Sequence, residues 1–321
     1  MTQNLSTATP SHSAIPSITP ARSVFDKSPS HTPDQNTDEN QYASAKVLNT
    51  IGDHPVGCGG NSDVWKAEAT MCDTVIVVAV KVLRSPGSDL AALCKMLERE
   101  VRCWKHLDHK NIAPFHGVHY QSNGVPAVLL PWYENGSANV YLREHPKASP
   151  IHLIKGIADG LTYLHDKGII HGDIKGSNIM VDDRGRARLI DFGLARLTDS
   201  ASLTTPTSSL RWSAPELLSP DSECITTTRA SDVYAFGNTA LELLTGQIPY
   251  SQLNGRCVLL VVMSGTSPRG FTGAFRADLG LPLAVELALW DLLDRCWEEA
   301  SERPGIRTAR QCLDVDLSSG L

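Results

Sequence analysis

Apolar residues recur along this chain with two periods, and the change between them organises it. Across residues 48–82 they come in short runs broken by glycine and asparagine. Val56-Gly-Cys-Gly-Gly-Asn-Ser-Asp-Val-Trp65 is followed by Val75-Ile-Val-Val-Ala-Val-Lys-Val82. This pattern predicts strand, glycine-rich turn, strand, turn and strand in a small antiparallel sheet. Across residues 89–106 the period lengthens, with Leu93, Leu97, Glu100 and Trp104 at helical spacing. Residues 125–130 read as one more strand, running into a linker at 131–136. Beyond the linker, Ile151, Ile154, Ile157, Leu161 and Leu164 share one helical face, on which Gly156 and Gly160 mark close packing. Val233, Phe236, Ala240, Leu241 and Leu244 mark a second apolar helix, and residues 287–297 a third.

Two charged side chains interrupt these apolar faces. Burying the Glu100 carboxylate unpaired costs several kcal/mol, so in a buried setting a cation must meet it. Lys81, on an otherwise apolar strand, is the candidate. The residues equally allow Glu100 to reach solvent and Lys81 to lie at a sheet edge. Further polar groups fall between brief apolar pairs in Ile169-Ile-His-Gly-Asp-Ile-Lys-Gly-Ser-Asn-Ile-Met180 and Leu189-Ile-Asp-Phe-Gly193. Asp173, Asn178 and Asp191 thereby lie on a loop and a strand end, an arrangement able to hold a base and a divalent metal. Asp and Asn are also common turn formers. Gly57, Gly59 and Gly60 let backbone amides approach phosphate oxygens closely, because no side chain intervenes, and they serve a plain hairpin turn equally well.

Composition narrows the partners. The 321 residues, 41% of them apolar, suffice for one large domain or two lobes. A formal charge of -6 gives no electrostatic case for nucleic acid or an anionic membrane. No apolar run approaches the roughly 20 residues of a spanning helix. The first residues lack the basic start and apolar core of a secretory signal, so none is expected. Eight cysteines without a Cys-x-x-Cys pair point to reduced thiols in cytosol or nucleus. Residues 1–45, rich in Ser, Thr, Pro, Asn and Gln, are expected to form a disordered tail, in which Ser28-Pro29 and Thr32-Pro33 read as products of composition. His106, His109, His116 and His119 have the spacing of a zinc site. They lack cysteine partners and lie by Pro114 and Gly117, so solvated or capping histidines are expected.

Taken in order over residues 48–313, these motifs resemble the eukaryotic protein kinase family. Gly57-x-Gly59-x-x-Ser62-x-Val64 is similar to its glycine-rich loop, with Ser62 in place of the third glycine, and Val78-Ala-Val-Lys81 to its strand lysine motif. The resemblance implies an α+β, bilobal protein kinase fold: a small lobe at 46–130 with an antiparallel sheet and one helix, a hinge at 131–136, a mainly helical lobe at 137–315, and a tail at 316–321. It implies ATP and Mg2+ as cofactors, and protein substrates with Ser/Thr hydroxyls; the oligomeric state is left open. Gly57, Cys58, Gly59, Gly60 and Val64 would line the nucleotide, Lys81 would meet its α- and β-phosphates, and Glu100 would pair with Lys81. Leu130 would be the gatekeeper, the Pro131 carbonyl and Tyr133 amide would face adenine, and Ala79 and Met180 would cover the purine. Asp173 would orient the substrate hydroxyl, Lys175 would steady the transferred phosphoryl, and Asn178 and Asp191 would ligate magnesium.

The same resemblance assigns structural roles to Asp232 under the catalytic loop and to Glu216 of Ala214-Pro-Glu216, paired with Arg303. Lys175 with Gly176-Ser177 is similar to serine/threonine kinases. Residues 210–216 and Cys296-Trp297 are similar to the tyrosine-kinase-like group. One position departs: Gly172 stands where the family usually has an arginine that meets an activation-segment phosphate. Phosphorylation there is therefore not expected to be the main switch, although Thr204, Thr205, Thr207, Ser208 and Ser209 supply hydroxyls. Cys58 is expected to be an inert thiol rather than a redox or covalent handle. The rival expectation from another class is a pseudokinase scaffold, and a small-molecule kinase would not need the Ala-Pro-Glu segment.

Overall fold

The computed structural model describes residues 45–58, 62–84, 90–197, 209–218 and 226–318. The tail expected at 1–45, apart from Ala45, lies outside them, with Ser28 and Thr32. So do Gly59, Gly60, Thr204, Thr205, Thr207, Ser208 and the last three residues of the chain.

The first lobe is a six-stranded antiparallel sheet of β1 (Lys46–Thr50), β2 (Gly57–Cys58), β3 (Ser62–Met71), β4 (Thr74–Leu83), β5 (Gly117–Tyr120) and β6 (Pro126–Pro131). The strands run in the order β1-β3-β4-β6-β5, and β2 pairs with β3. β3 and β4 pair from Ser62↔Leu83 to Met71↔Thr74, which leaves Cys72 and Asp73 as a two-residue turn with φ of 47° and 61°. Two positive φ values match the right-handed twist of the flanking strands. Alternation in β4 buries Val78, Val80 and Val82 on one face and turns Ala79, Lys81 and Leu83 to the other. Across that second face packs α1 (Leu90–Trp104), burying Leu93, Leu97, Glu100, Val101, Cys103 and Trp104. Its apolar stripe is the one the sequence predicts, one residue shorter at the start and two at the end.

Past Pro131 the chain becomes helical: α2 (Ala138–Glu144), α3 (Pro150–Asp166), α4 (Arg229–Thr245), α5 (Gly255–Met263), α6 (Leu283–Cys296) and α7 (Ile306–Ser318), with short β7 (Ile169–Ile170), β8 (Ile179–Val181), β9 (Ala187–Leu189) and β10 (Arg196–Leu197). Ser149 caps α3 by accepting from the His152 amide, with Pro150 in the first turn. The two α3 glycines do mark close packing: a Cβ on Gly160 would stand 2.8 Å from Leu189 and 3.1 Å from the Asn111 carbonyl. Helix α4 opens with a Thr228/Ser231 capping box, ends at Gly246 (φ 71°), and is buried from Ser231 through Thr245. A helix buried on every side is the axle of its lobe. α2, α5 and α7 were not marked by periodicity, and α6 begins four residues before the expected 287. One apolar core runs through both lobes, from Ala79 and Leu97 to Leu293 and Leu313. Of the four histidines, His109 caps: its Nδ1 accepts the Asn111 amide and its ring stacks on Tyr163 at 4.8 Å.

The β8–β9 hairpin is tied by Asp182. Its carboxylate accepts the amides of Arg184 and Arg186 and the side chains of Arg186 and Arg188, all at 2.9–3.0 Å. Burial raises this carboxyl, but those donors outweigh burial and hold it below the usual range. We expect Asp182→Ala to cost about 2 kcal/mol at pH 7, since several charge-assisted bonds are lost beside partly exposed arginines. A depressed carboxyl contributes stability above its unfolded pKa of about 3.9 and loses it as pH falls through the folded value. Urea titrations should therefore show the difference between wild type and variant shrinking between pH 7 and pH 3.

Candidate functional site

Residues from β4, α1 and the β9–β10 connection meet between the lobes. Lys81 Nζ lies 2.8 Å from Glu100 Oε1 and 2.7 Å from Asp191 Oδ1. The alternative left open by the residues is thus resolved: Glu100 is buried and the cation that meets it is Lys81. Burial opposes the lysine's charge, but Asp191 and Glu100 outweigh it and raise the ammonium above its ordinary value. For Asp191, burial pushes the carboxyl up, and the Lys81 charge and hydrogen bond bring it down to about 2. Two carboxylates share one ammonium: burial raises Glu100, which the Lys81 charge opposes, while Asp191, one-third exposed, carries its charge toward the cleft.

Asp191 adopts φ 67°, a left-handed conformation uncommon outside glycine. Neighbouring groups hold it there. The Gly193 amide donates to Asp191 Oδ1 at 3.3 Å, and the Phe192 ring lies between Trp104 (4.9 Å) and His171 (5.2 Å). Trp104 is fixed in turn, because its indole N–H donates to the Ala113 carbonyl at 2.6 Å.

The loop after β7 brings the other expected residues together. Asp173 Oδ2 accepts from Lys175 Nζ and from Asn178 Nδ2, each at 2.8 Å, and Asn178 Nδ2 also donates to the Asp173 carbonyl. With its nitrogen so committed, the Asn178 amide oxygen has no protein donor among the described residues. Asp191 Oδ2 is likewise without one. Hard oxygen acceptors left open in this way, one of them anionic, fit a divalent cation that keeps several waters. Beneath the loop, Asp232 accepts the His171 amide at 2.9 Å, the Gly172 amide at 2.8 Å and His165 Nε2 at 2.9 Å. Burial raises Asp232, but His165 leads the partners that bring it below the usual range. Glu216 pairs with Arg303 through two bonds of 2.6 and 2.9 Å.

The adenine side is set by register. Ala79 pairs with Leu130 and Val78 with Pro131 across β4 and β6, while Val64 pairs with Lys81 and Gly57 with Val64. The Tyr133 amide has no acceptor among the described residues, and its carbonyl takes the Gly136 amide. This donor beside an apolar strand end fits a purine edge. Met180 lies on β8, bridged to Ser137 just past the linker. Cys58 is exposed beside Asp63, which raises its thiol.

Ser209 needs correction and Gly172 needs enlarging. Ser209, expected as an open hydroxyl for modification, is buried; its Oγ donates to Asp173 Oδ1 at 2.6 Å and accepts from Lys175 at 2.7 Å. Sequence reasoning missed this placement, since a serine in a hydroxyl-rich stretch carries no distinguishing signal. Gly172 does more than lack a side chain. Its φ is 78°, and a Cβ there would stand 3.0 Å from the Leu194 carbonyl. Glu242 was missed as well, although a carboxylate inside Ala240-Leu241-Glu242-Leu243-Leu244 invites the same question as Glu100.

A family described as protein tyrosine and serine/threonine kinase matches residues 51–313. The chain belongs to that family. Its bilobal architecture is the kinase fold, and members of the family generally use ATP and a divalent metal. Among curated relatives, the chain is 30% identical over 302 residues to cytokinesis protein sepH of Aspergillus niger, covering 90% of the chain and 21% of the relative. It is 29% identical over 250 residues to serine/threonine-protein kinase STY17 of Arabidopsis thaliana, covering 76% and 40%. With mitogen-activated protein kinase kinase kinase 1 of Arabidopsis thaliana it shares 33% over 215 residues, covering 66% and 35%. The chain thus spans less than half the length of each of these relatives.

Gly172→Ala should destabilise the domain by about 1–2 kcal/mol, the cost of a left-handed residue with a side chain. Thermal or urea unfolding measures it. An unchanged midpoint means that the glycine is not required by the backbone.

Proposed function

We propose that this chain is an active serine/threonine kinase of the tyrosine-kinase-like group, which transfers the γ-phosphoryl of ATP, with Mg2+, to a protein hydroxyl. The observation that carries this reading is Lys81 bonded at once to Glu100 and Asp191. That contact joins the small lobe to the metal-facing carboxylate, which carries its charge toward the cleft, where a cation is needed.

In this reading, Lys81 holds the α- and β-phosphates, and Gly57, Cys58 and Val64, with Gly59 and Gly60, border the nucleotide. Leu130, Pro131 and Tyr133 hold the adenine edge between Ala79 and Met180. Asn178 and Asp191 hold Mg2+, which when bound neutralises charge on the β- and γ-phosphates. Asp173 orients the substrate hydroxyl and accepts its proton as the new oxygen–phosphorus bond forms. The bond from the γ-phosphorus to the β–γ bridging oxygen breaks, and ADP leaves with that electron pair. Lys175 offsets charge on the phosphoryl in flight. A pseudokinase scaffold usually lacks the lysine, base or metal ligand; here Lys81 bonds Asp191, and Asn178 bonds Asp173.

Gly172 supports regulation by means other than an activation-segment phosphate. Arg196, a nearby cation, is buried with its guanidinium donating to the Thr227 carbonyl. Thr227 in turn packs 3.3 Å from the Cβ position of Gly172.

With a generic protein substrate and Mg-ATP, Asp173→Asn should lower kcat by roughly 10²–10⁴-fold. Equal phosphate incorporation by wild type and variant contradicts the catalytic reading. Alanine at Thr204, Thr205, Thr207 and Ser208 together should leave kcat within about threefold. Loss of activity restored by acidic replacements contradicts the regulatory reading.

A further inference from the structure

The sheet of the small lobe has two faces, and α1 covers one of them. On the other, a second apolar cluster gathers Ala67 and Ala69 of β3, Val78, Val80 and Val82 of β4, and Ala127 and Leu129 of β6. Register sets these side by side: Trp65 pairs with Val80, Ala67 with Val78 and Ala69 with Ile76, while Val80 pairs in turn with Leu129 and Val82 with Ala127. Ala67, Ala69, Val78, Val80, Ala127 and Leu129 are fully buried. Yet among the described residues every apolar side chain in or against this cluster belongs to a strand of the same sheet, or to Ala45 or Val125 beside one. No helix contributes.

Side chains as short as alanine and valine stand side by side on a pleat and need a second layer to exclude water. Half-buried Val47, Trp65, Met71 and Ile76 supply part of that roof. Burial at the centre is complete in the lone chain, so the rest of the roof is the chain's own, because a face kept for another molecule would stand open to solvent. The path of the chain says which part. Ala45, the first described residue, is itself buried in the cluster, so the 44 residues before it join the fold on this face. Within them Val24-Phe25 is the one adjacent pair of large apolar residues, set between Pro20 and Pro29. The 20 residues from Phe25 to Ala45 reach at most about 70 Å, twice the roughly 34 Å of a ten-residue strand such as β3 or β4. Any part of the face is within range.

We infer that residues 21–28, with Phe25 as their anchor, fold back over this face and complete its apolar layer beside Trp65. Arg22, Asp26 and Lys27 flank the apolar pair and stay in water at the rim, so the contact is confined to Val24 and Phe25. Alternation turns Val80 and Lys81 to opposite faces of β4, which puts this segment across the sheet from the cleft. It braces the small lobe rather than filling the site. The inference does not depend on the proposed kinase activity.

Arg22 and Lys27 place a tryptic bond on either side of Phe25, so limited trypsin digestion of the full chain, with the released N-terminal peptides followed by mass spectrometry, reads the contact directly. Cleavage after Arg22 and Lys27 should be at least about tenfold slower in wild type than in Phe25→Ser, since a docked segment is cut only when it opens. Trp65→Ala, on the face itself, should speed the same two cleavages. Ile76→Ser serves where Trp65→Ala fails to fold. Equal cleavage in wild type and Phe25→Ser overturns the inference, and so does an unchanged rate in the folded face variant, which would seat the segment elsewhere. Protection that survives hundredfold dilution supports a cover within one chain; protection lost on dilution overturns it in favour of a second copy.

Discussion

A part-buried ammonium shared between two carboxylates ties the halves of this domain together. Lys81 comes from the sheet, Glu100 from α1 and Asp191 from the far side of the cleft, so one group fixes three elements. Removing either carboxylate leaves Lys81 held by one element instead of two, and removing the lysine leaves two anions without their shared cation. Trp104, one turn beyond Glu100 on α1, presses from the other side on Phe192, the residue after Asp191. Charge and aromatic packing therefore hold Asp191 in the same left-handed conformation by independent means.

The second lobe supplies the counterpart through α4. Because that helix is enclosed on all sides, its polar side chains have no solvent to turn to and are aimed by their partners. Asp232 holds the backbone of His171 and Gly172, Asn238 holds the Arg211 carbonyl, and Glu242 holds Gly176 and Trp212. Three positions along one axle thus fix the loop bearing Asp173 and the segment that ends at Glu216.

Much of this was legible from residues alone, for identifiable reasons. A buried carboxylate on an apolar face demands a partner, which made Lys81 the candidate for Glu100 while the residues alone still allowed Glu100 to reach solvent and Lys81 to lie at a sheet edge; the pair is formed. The spacing of Asp173, Asn178 and Asp191 between short apolar runs placed them on a loop and a strand end, where Asn178 does bond Asp173 and the Ile190 amide beside Asp191 bonds the Asn178 carbonyl. Periodicity found α1 and α3 because each buries a regular stripe, and α4 through its dense apolar positions. It missed α2, short and mostly half-exposed, α5, which buries only Val258 and Val262, and α7, whose few buried side chains include Ile306, Ala309 and Leu313. Ser209 and Trp212 were illegible for another reason: their partners are distant in sequence and the local pattern carries no trace of them. The backbone role of Gly172 was hidden likewise, since a missing side chain and a required φ look the same in one-letter code.

If the Lys81–Glu100–Asp191 cluster builds a nucleotide site, nucleotide binding there depends on the metal. Calorimetric titration of ATP into the chain, with Mg2+ and with chelator, measures this without requiring turnover. Wild type should bind at least about tenfold tighter with the metal, and Asp191→Asn should lose that gain while keeping its metal-free affinity. Equal affinity with and without Mg2+ in wild type, or an undiminished metal effect in Asp191→Asn, would contradict the account.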